Sequence, residues 1–207
     1  MKVQRLVLPI CATNCYIAIN EQLNEALIID PGSAGERIIE AVKACGATPK
    51  AILLTHGHFD HAGDADMVAK EFGLSIYAYE DEKAVLEDPH FNQSDDMLGQ
   101  PANYTADIYL KDRQELDLAG LHIIVLHTPG HTPGGCCYYI PYEKVMFTGD
   151  TLFAGSVGRT DFPGGSMSDL VRGIKDKIMT LPTDINLLPG HEGPTTIEEE
   201  RMYNPYL

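Results

Sequence analysis

The sequence predicts a layered α/β fold in which two β-rich halves each carry their own helices. Three observations predict it. Short apolar runs of strand length recur in both halves, and stretches with apolar residues at helical spacing lie between them. No repeat, low-complexity tract or Gly/Ser linker divides the 207 residues, so one domain spanning residues 1–207 is expected.

The first half opens with three strand-like runs, Lys2–Leu8, Cys15–Ile19 and Ala26–Asp30. Pro31-Gly32 breaks the third, and Ala34–Cys45 follows with Ile38, Ile39 and Val42 at helical spacing. Ala51–Leu54 is a short buried strand that runs into a histidine-rich loop. Ala62–Phe72 reads as a helix and Ser75–Tyr79 as a strand. The stretch from Glu80 to Lys111 is hydrophilic and broken by Pro89 and Pro101, which predicts an irregular surface excursion able to cover a site. The second half predicts strands at Leu121–Leu126, Cys136–Ile140 and Lys144–Phe147, a helix at Asp169–Met179 and a strand at Ile185–Leu188.

Composition narrows the classes of function. A formal net charge of −15, with the 15 Lys and Arg scattered, repels phosphate backbones and argues against a nucleic-acid partner. No apolar run is long enough to span a bilayer, so no membrane partner is expected. The N-terminus alternates polar and apolar residues instead of forming a leader peptide. Five cysteines without regular spacing argue against a disulfide framework and predict a reducing, cytoplasmic home. None has a partner that would make it a nucleophile. Cys136 and Cys137, adjacent on a strand, are expected to divide between core and surface, and no Gly-x-Ser-x-Gly elbow occurs.

The chemistry lies where strands end. Ala51–Leu54 leads to His56-Gly57-His58-Phe59-Asp60-His61, and Ile123–Leu126 leads to Pro129-Gly130-His131. Val145–Phe147 leads to Gly149-Asp150, and Ile185–Leu188 leads to Pro189-Gly190-His191. Four times a buried strand gives way to a glycine-containing loop that presents a histidine or aspartate. Strand ends are rigid mounts, and loops at one sheet edge can converge their side chains. Imidazole and carboxylate together are a ligand set for zinc, iron or manganese. His56 and His58, two apart in an extended loop, can chelate one ion; Asp60 and His61 arrive as the chain turns into a helix and face a neighbouring position. His90, His122 and His127 lack this context and read as structural or solvent-facing.

The ordered set His56-x-His58-x-Asp60-His61, Gly130-His131-Thr132, Gly149-Asp150 and Gly190-His191 resembles the metallo-β-lactamase superfamily from about Asp30 to His191. The resemblance implies a four-layer αβ/βα sandwich. It also implies two divalent metal ions, zinc in the first place and iron or manganese as alternatives. His56, His58 and His131 would hold one ion and Asp60, His61 and His191 the other, with Asp150 bridging. Gly149-Asp150-Thr151-Leu152-Phe153 through Gly158-Arg159-Thr160-Asp161-Phe162, with the Asn204-Pro205-Tyr206-Leu207 ending, resembles the short bacterial glyoxalase II-like group. Full-length glyoxalase II carries a C-terminal helical domain that this chain is expected to lack. Arg159 and Asp161 stand where glyoxalase II has Lys and Tyr, and Gly-Arg-Thr-Asp-Phe is shared with persulfide dioxygenases.

The resemblance therefore implies hydrolysis of a small acyl-thiol such as S-lactoylglutathione by a metal-bridged hydroxide, with Asp60 as metal ligand orienting the water and Asp150 bridging. A thiolate, with a thiol pKa near 8.5, leaves without a strong general acid. Arg159 is a candidate clamp for a substrate carboxylate, with an ion pair to Asp161 as its structural alternative. The rival from another reaction class is a mononuclear iron persulfide dioxygenase using His56, His131 and Asp150 as a two-histidine, one-carboxylate triad.

Overall fold

The computed structural model describes all 207 residues. Its first sheet runs β1 (Lys2–Val7), β2 (Asn14–Asn20), β3 (Glu25–Ile29), β4 (Thr48–Leu53), β5 (Ser75–Tyr79) and β6 (Ile108–Leu110) in spatial order. β1 to β3 are antiparallel and β3 to β6 parallel. The second sheet contains β7 (Glu115–Leu118), β8 (Leu121–His127), β9 (Cys136–Ile140) and β10 (Val145–Gly149), joined in antiparallel order. After the hairpin β11 (Leu152–Phe153) and β12 (Ser156–Val157), β13 (Asn186–Pro189) pairs parallel to β10, and β14 (Thr195–Thr196) closes the edge.

Three apolar seams make this pair of sheets a four-layer sandwich. Along β2, Cys15, Ile17 and Ile19 face one way and Tyr16 and Ala18 the other, as the two-residue period of a strand requires. The first set packs with Ile28 and Ile52 against helices α1 (Gly35–Cys45) and α3 (Ala65–Phe72) through Ile38, Val42, Val68 and Ala69. The second set, with Leu27, Ile29 and Leu53, meets Leu121, Ile123, Val125, Tyr138 and Phe147 of the second sheet. The outer face of that sheet, through Leu126, Cys137, Met146 and Leu187, packs on Leu170, Ile174, Ile178 and Ile197. Those residues belong to α5 (Met167–Gly173), the π-helical turn that continues it, and α6 (Ile197–Tyr203). Helix, sheet, sheet and helix follow one another. No helix is long and apolar enough to cross a membrane.

Four expectations are corrected. The helix at Ala62–Phe72 is two pieces, α2 (Phe59–Ala62) and α3, broken at Gly63-Asp64. The break has a tertiary cause: Asp64 N–H donates to Pro31 O, and the Asp64 carboxylate accepts the Gly35 N–H at the start of α1. The Glu80–Lys111 excursion is ordered instead of irregular. It holds α4 (Lys83–Glu87), a π-helical turn at Ser94–Leu98 and β6, and it buries Glu82, Asn92, Gln93 and Ser94. Cys136 and Cys137 do point to opposite faces, yet both are buried, because the second sheet is covered on both sides. α6 was absent from the expectation, although Thr196, whose side chain accepts the Glu199 N–H, opens it with a capping signature.

Strand directions fix where the site forms. β3 and β4 are parallel, so their C-terminal ends share an edge. β8 is antiparallel to β9 and β9 to β10, so β8 points with β10, and β13 is parallel to both. The two edges are tied across the central seam: Cys136 N–H donates to Thr55 O at 2.9 Å, Tyr138 Oη to Leu54 O at 2.7 Å, and Tyr16 Oη to Pro189 O at 2.7 Å.

Candidate metal centre

The loops leaving β4, β8, β10 and β13 deliver all seven sequence-predicted donors to one place. His56 Nε2 lies 3.0 Å from His58 Nδ1, and His131 Nε2 lies 2.9 Å from the same atom. On the other side, His61 Nε2 is 3.4 Å from His191 Nε2, and Asp60 Oδ2 is 3.4 Å from His191 Nε2 and 3.6 Å from His61 Nε2. Asp150 stands between the trios, with Oδ2 3.5 Å from His131 Nε2 and 3.3 Å from His191 Nε2, and Oδ1 3.4 Å from His61 Nε2. Within each of the trios His56–His58–His131 and Asp60–His61–His191, the donor atoms lie within 4.8 Å of one another.

Hydrogen bonds outside the cluster aim these donors. Asp30, at the end of β3, accepts the Thr55 N–H and hydroxyl at 2.8 and 2.7 Å, and its Oδ2 takes His61 Nδ1–H at 3.0 Å. That bond leaves His61 Nε2 with its lone pair facing inward. His131 Nδ1–H donates to Arg159 O at 2.7 Å, which orients its Nε2 in the same way. The Thr13 hydroxyl donates to Asp60 Oδ2 at 2.6 Å. Close backbone approach explains two of the glycines. A Cβ on Gly190 would collide with Asp150 Oδ1 and lie 2.6 Å from His61 Cε1, and one on Gly32 would run into the Asp60 carbonyl.

The electrostatics of the bare cluster are those of a site built for positive charge. Burial holds His56 and His58 well below the usual imidazole range, and neighbouring imidazoles add to the effect. Burial also opposes charge on His61, but Asp60, Asp150 and Asp30 outweigh it and push that imidazole up to about 10. Asp150 is buried too, yet His61, His191 and His131 hold it below the carboxylate range. His58 Nδ1 faces two imidazole nitrogens at once, and one proton cannot satisfy both. Asp150 Oδ1 and His58 Nε2 are buried without a hydrogen-bond partner. Five imidazoles and two carboxylates facing inward fit a divalent cation by chemistry and by geometry.

A cleft of about 370 Å³ opens onto the cluster. Phe59, Phe153, Val157 and Phe162 supply apolar walls, and Gln93 and Met97 reach in from the Glu80–Lys111 excursion, as expected of a segment able to cover a site. Arg159 also lines it. Its guanidinium makes two 2.7 Å bonds to Asp161 and sits 4.1 Å from the centroid of the Phe162 ring. Cys11 is exposed at the rim, in a left-handed backbone conformation with φ 53°. His90 pairs with Asp96, His122 with Asp117, and His127 stacks on Tyr79; all three lie outside the cluster.

The model of the metallo-beta-lactamase superfamily matches residues 8–191. The chain belongs to the metallo-beta-lactamase superfamily. This metallo-hydrolase superfamily accounts for the two-sheet sandwich and for a His/Asp cluster suited to a divalent metal. Within the superfamily, the chain is 38% identical to the hydroxyacylglutathione hydrolase GloC of Haemophilus influenzae, over 97% of this chain and 96% of that protein. Among solved structures, BLEG-1, a B3 metallo-beta-lactamase, is 40% identical with a TM-score of 0.95, over 100% of this chain and 99% of that one. TTHA1623, solved in a di-iron-bound form, is 30% identical with a TM-score of 0.87, over 99% of this chain and 100% of that one.

Sequence reasoning missed several residues that build this superfamily site here. Asp30-Pro31-Gly32 follows a buried strand, the same signal that found the other four loops. Glu82 and Gln93 were hidden in a polar stretch. Glu200, which accepts the Gly155 N–H at 2.9 Å, and Asn204, which donates to Ser156 O at 3.0 Å, hold the β11–β12 hairpin that walls the cleft.

Proposed function

We propose that the chain hydrolyses a small acyl-thioester of the S-lactoylglutathione type at a two-metal centre. The observation that carries this reading is the placement of Asp150 between two complete donor trios, with one carboxylate oxygen facing histidines of both. His56, His58 and His131 would hold one ion and Asp60, His61 and His191 the other, with zinc first and iron or manganese as alternatives. When bound, the metal pair supplies Lewis acidity, lowering the pKa of water toward 7 and polarising an acyl oxygen. The likeness to GloC and to a di-iron neighbour supports both parts of the reading.

The chain's own residues would do the rest. Asp60, fixed by Thr13, and Asp150 orient the attacking water. The cleft holds the thioester with its carbonyl toward the cluster, while its aromatic walls exclude bulk water. Water bonds to the carbonyl carbon and the C–S bond breaks; the sulfur leaves as thiolate and takes up one of the two water protons in solvent, and the other is released with the carboxylate product. Arg159 stands at the cleft as the one candidate contact for a substrate carboxylate.

Mononuclear dioxygenase chemistry would need only His56, His131 and Asp150. Thr13 and Asp30 nonetheless aim Asp60 and His61 at the cluster, and this favours the hydrolase. The test is direct. Purified protein loaded in turn with zinc, iron or manganese is assayed for thiol release from S-lactoylglutathione, with metals counted per chain. Two metals and chelator-sensitive thioester cleavage are expected, with loss in His58→Ala. One iron per chain with oxygen uptake on glutathione persulfide, or activity surviving His58→Ala at full loading, would overturn the reading.

A further inference from the structure

Glu82 is fully buried at the start of the segment that follows β5, and its carboxylate joins two loops that come from different sheets. Oε2 accepts the Gly57 N–H at 2.6 Å, and Gly57 lies between His56 and His58. Oε1 accepts the Gly134 N–H at 2.8 Å, on the turn that carries His131. Each oxygen thus takes one histidine loop, and these are the loops whose nitrogens converge at 3.0 and 2.9 Å on His58 Nδ1.

The surroundings are shaped for this carboxylate. A Cβ on Gly57 would lie 2.9 Å from Glu82 Oε2, and one on Gly134 would lie 2.5 Å from the Glu82 backbone nitrogen. No cationic side chain pairs with Glu82, so its buried carboxyl group is held by N–H donors from the two loops. Burying a carboxylate without a counter-charge is costly, and an apolar residue would fill the space at lower cost if filling were all that was needed. Both of its bonds go to loops of the cluster.

We propose that Glu82 is a positioning residue: its carboxylate fixes the separation of the His56–His58 loop and the His131 loop, and so sets the affinity and geometry of the metal position those three histidines form. This rests on reading the three histidines as metal ligands. Glutamine at this position keeps the volume but offers an N–H₂ group to one of the two N–H donors, which would push one loop away. Aspartate keeps the charge and shortens the reach.

The experiment titrates zinc alone into metal-free wild type, Glu82→Gln, Glu82→Asp and the core variant Val42→Ala, by competition with a chromophoric chelator. Melting temperature and the visible spectrum of the cobalt-substituted proteins are recorded in parallel. Outer-shell partners of metal ligands typically affect affinity by about 10- to 100-fold. Glu82→Gln is expected to weaken zinc binding by about tenfold or more and to alter the cobalt bands. Val42→Ala is expected to lower the melting temperature with zinc affinity unchanged. If Glu82→Gln does not fold, Glu82→Asp carries the same expectation at smaller size. Wild-type affinity and cobalt bands in a folded Glu82 variant, or losses that only track melting temperature as in Val42→Ala, would overturn the proposal. Failure of the metal reading itself is distinguishable, because wild type would then bind no zinc.

Discussion

Asp30 has both carboxylate oxygens engaged at the foot of the cluster, one on the Thr55 N–H and one shared by the Thr55 hydroxyl and His61 Nδ1. In Asp30→Asn an N–H₂ group must face one of those donors, so the His61 ring loses its fixed tautomer. Zinc affinity is expected to fall about 10- to 100-fold, read by chelator competition; unchanged affinity would remove Asp30 from the site's support. Glu82 gives a pH signature. Burial lifts its carboxyl from the ordinary 4.5 to about 7. A group whose folded pKa is raised binds more protons folded than unfolded between those values. Its contribution to stability is therefore complete below about 4.5 and is lost as pH rises through about 7. Metal-free wild type should accordingly lose on the order of 3 kcal/mol relative to Glu82→Gln between about pH 4.5 and 8. Urea denaturation at several pH values measures this, and parallel curves for the two proteins would refute it. Arg159 differs in kind: its pair with Asp161 is exposed, so Arg159→Ala should leave the melting temperature almost unchanged. A raised KM for a carboxylate-bearing thioester would mark it as a substrate contact, and an unchanged KM as a structural pair.

Elements place the donors, and their joints are the sensitive points. Gly190→Ala adds one methyl against Asp150 and His61 at a position whose backbone any residue could adopt. A folded protein with metal content reduced by half or more is the expected outcome, measured by elemental analysis. At the hairpin, Glu200 accepts from Gly155, Thr195 and Asn204, at 2.9, 2.6 and 2.8 Å. Glu200→Ala should cost about 2–3 kcal/mol by leaving buried donors unpaired. It should also raise KM more than it lowers kcat, because the hairpin carries Phe153 and Val157 into the cleft; the reverse split would detach the hairpin from substrate binding. Much of this was legible in the sequence. The four strand-end loops could be read because a buried strand and its glycine turn are local signals. The split between α2 and α3 could not, because a contact with the distant Pro31–Gly35 turn decides it. Glu82 stayed hidden for a similar reason: a glutamate in a polar stretch carries no local mark of burial.

At the scale of the whole molecule, a metal bound at the cluster would enter the thermodynamics of the fold. The seven donors come from both sheets, so a ligand that needs all of them binds only when the two sheets are together. At free zinc one hundred times its Kd, a single site adds about 2.7 kcal/mol. Chelated protein should therefore melt at a lower temperature than the zinc-loaded form, by calorimetry with and without EDTA; coincident melts would show that the cluster holds no metal. Protons compete for the same imidazoles, so this gap should narrow as pH falls. The three seams were foreshadowed by alternating apolar residues on the strands, whereas sheet order, set by long-range pairing, was not readable.

Asn14, on the second strand, donates to the Pro189 carbonyl across 175 residues of chain. A ribosome releases the second of these partners 175 residues after the first. Over that interval the growing polypeptide carries His56 to His61 with no closing wall. Until His131 and His191 emerge, neither trio that this stretch contributes to is complete. The full donor set therefore exists only once His191 has been made and the two sheets have closed on each other.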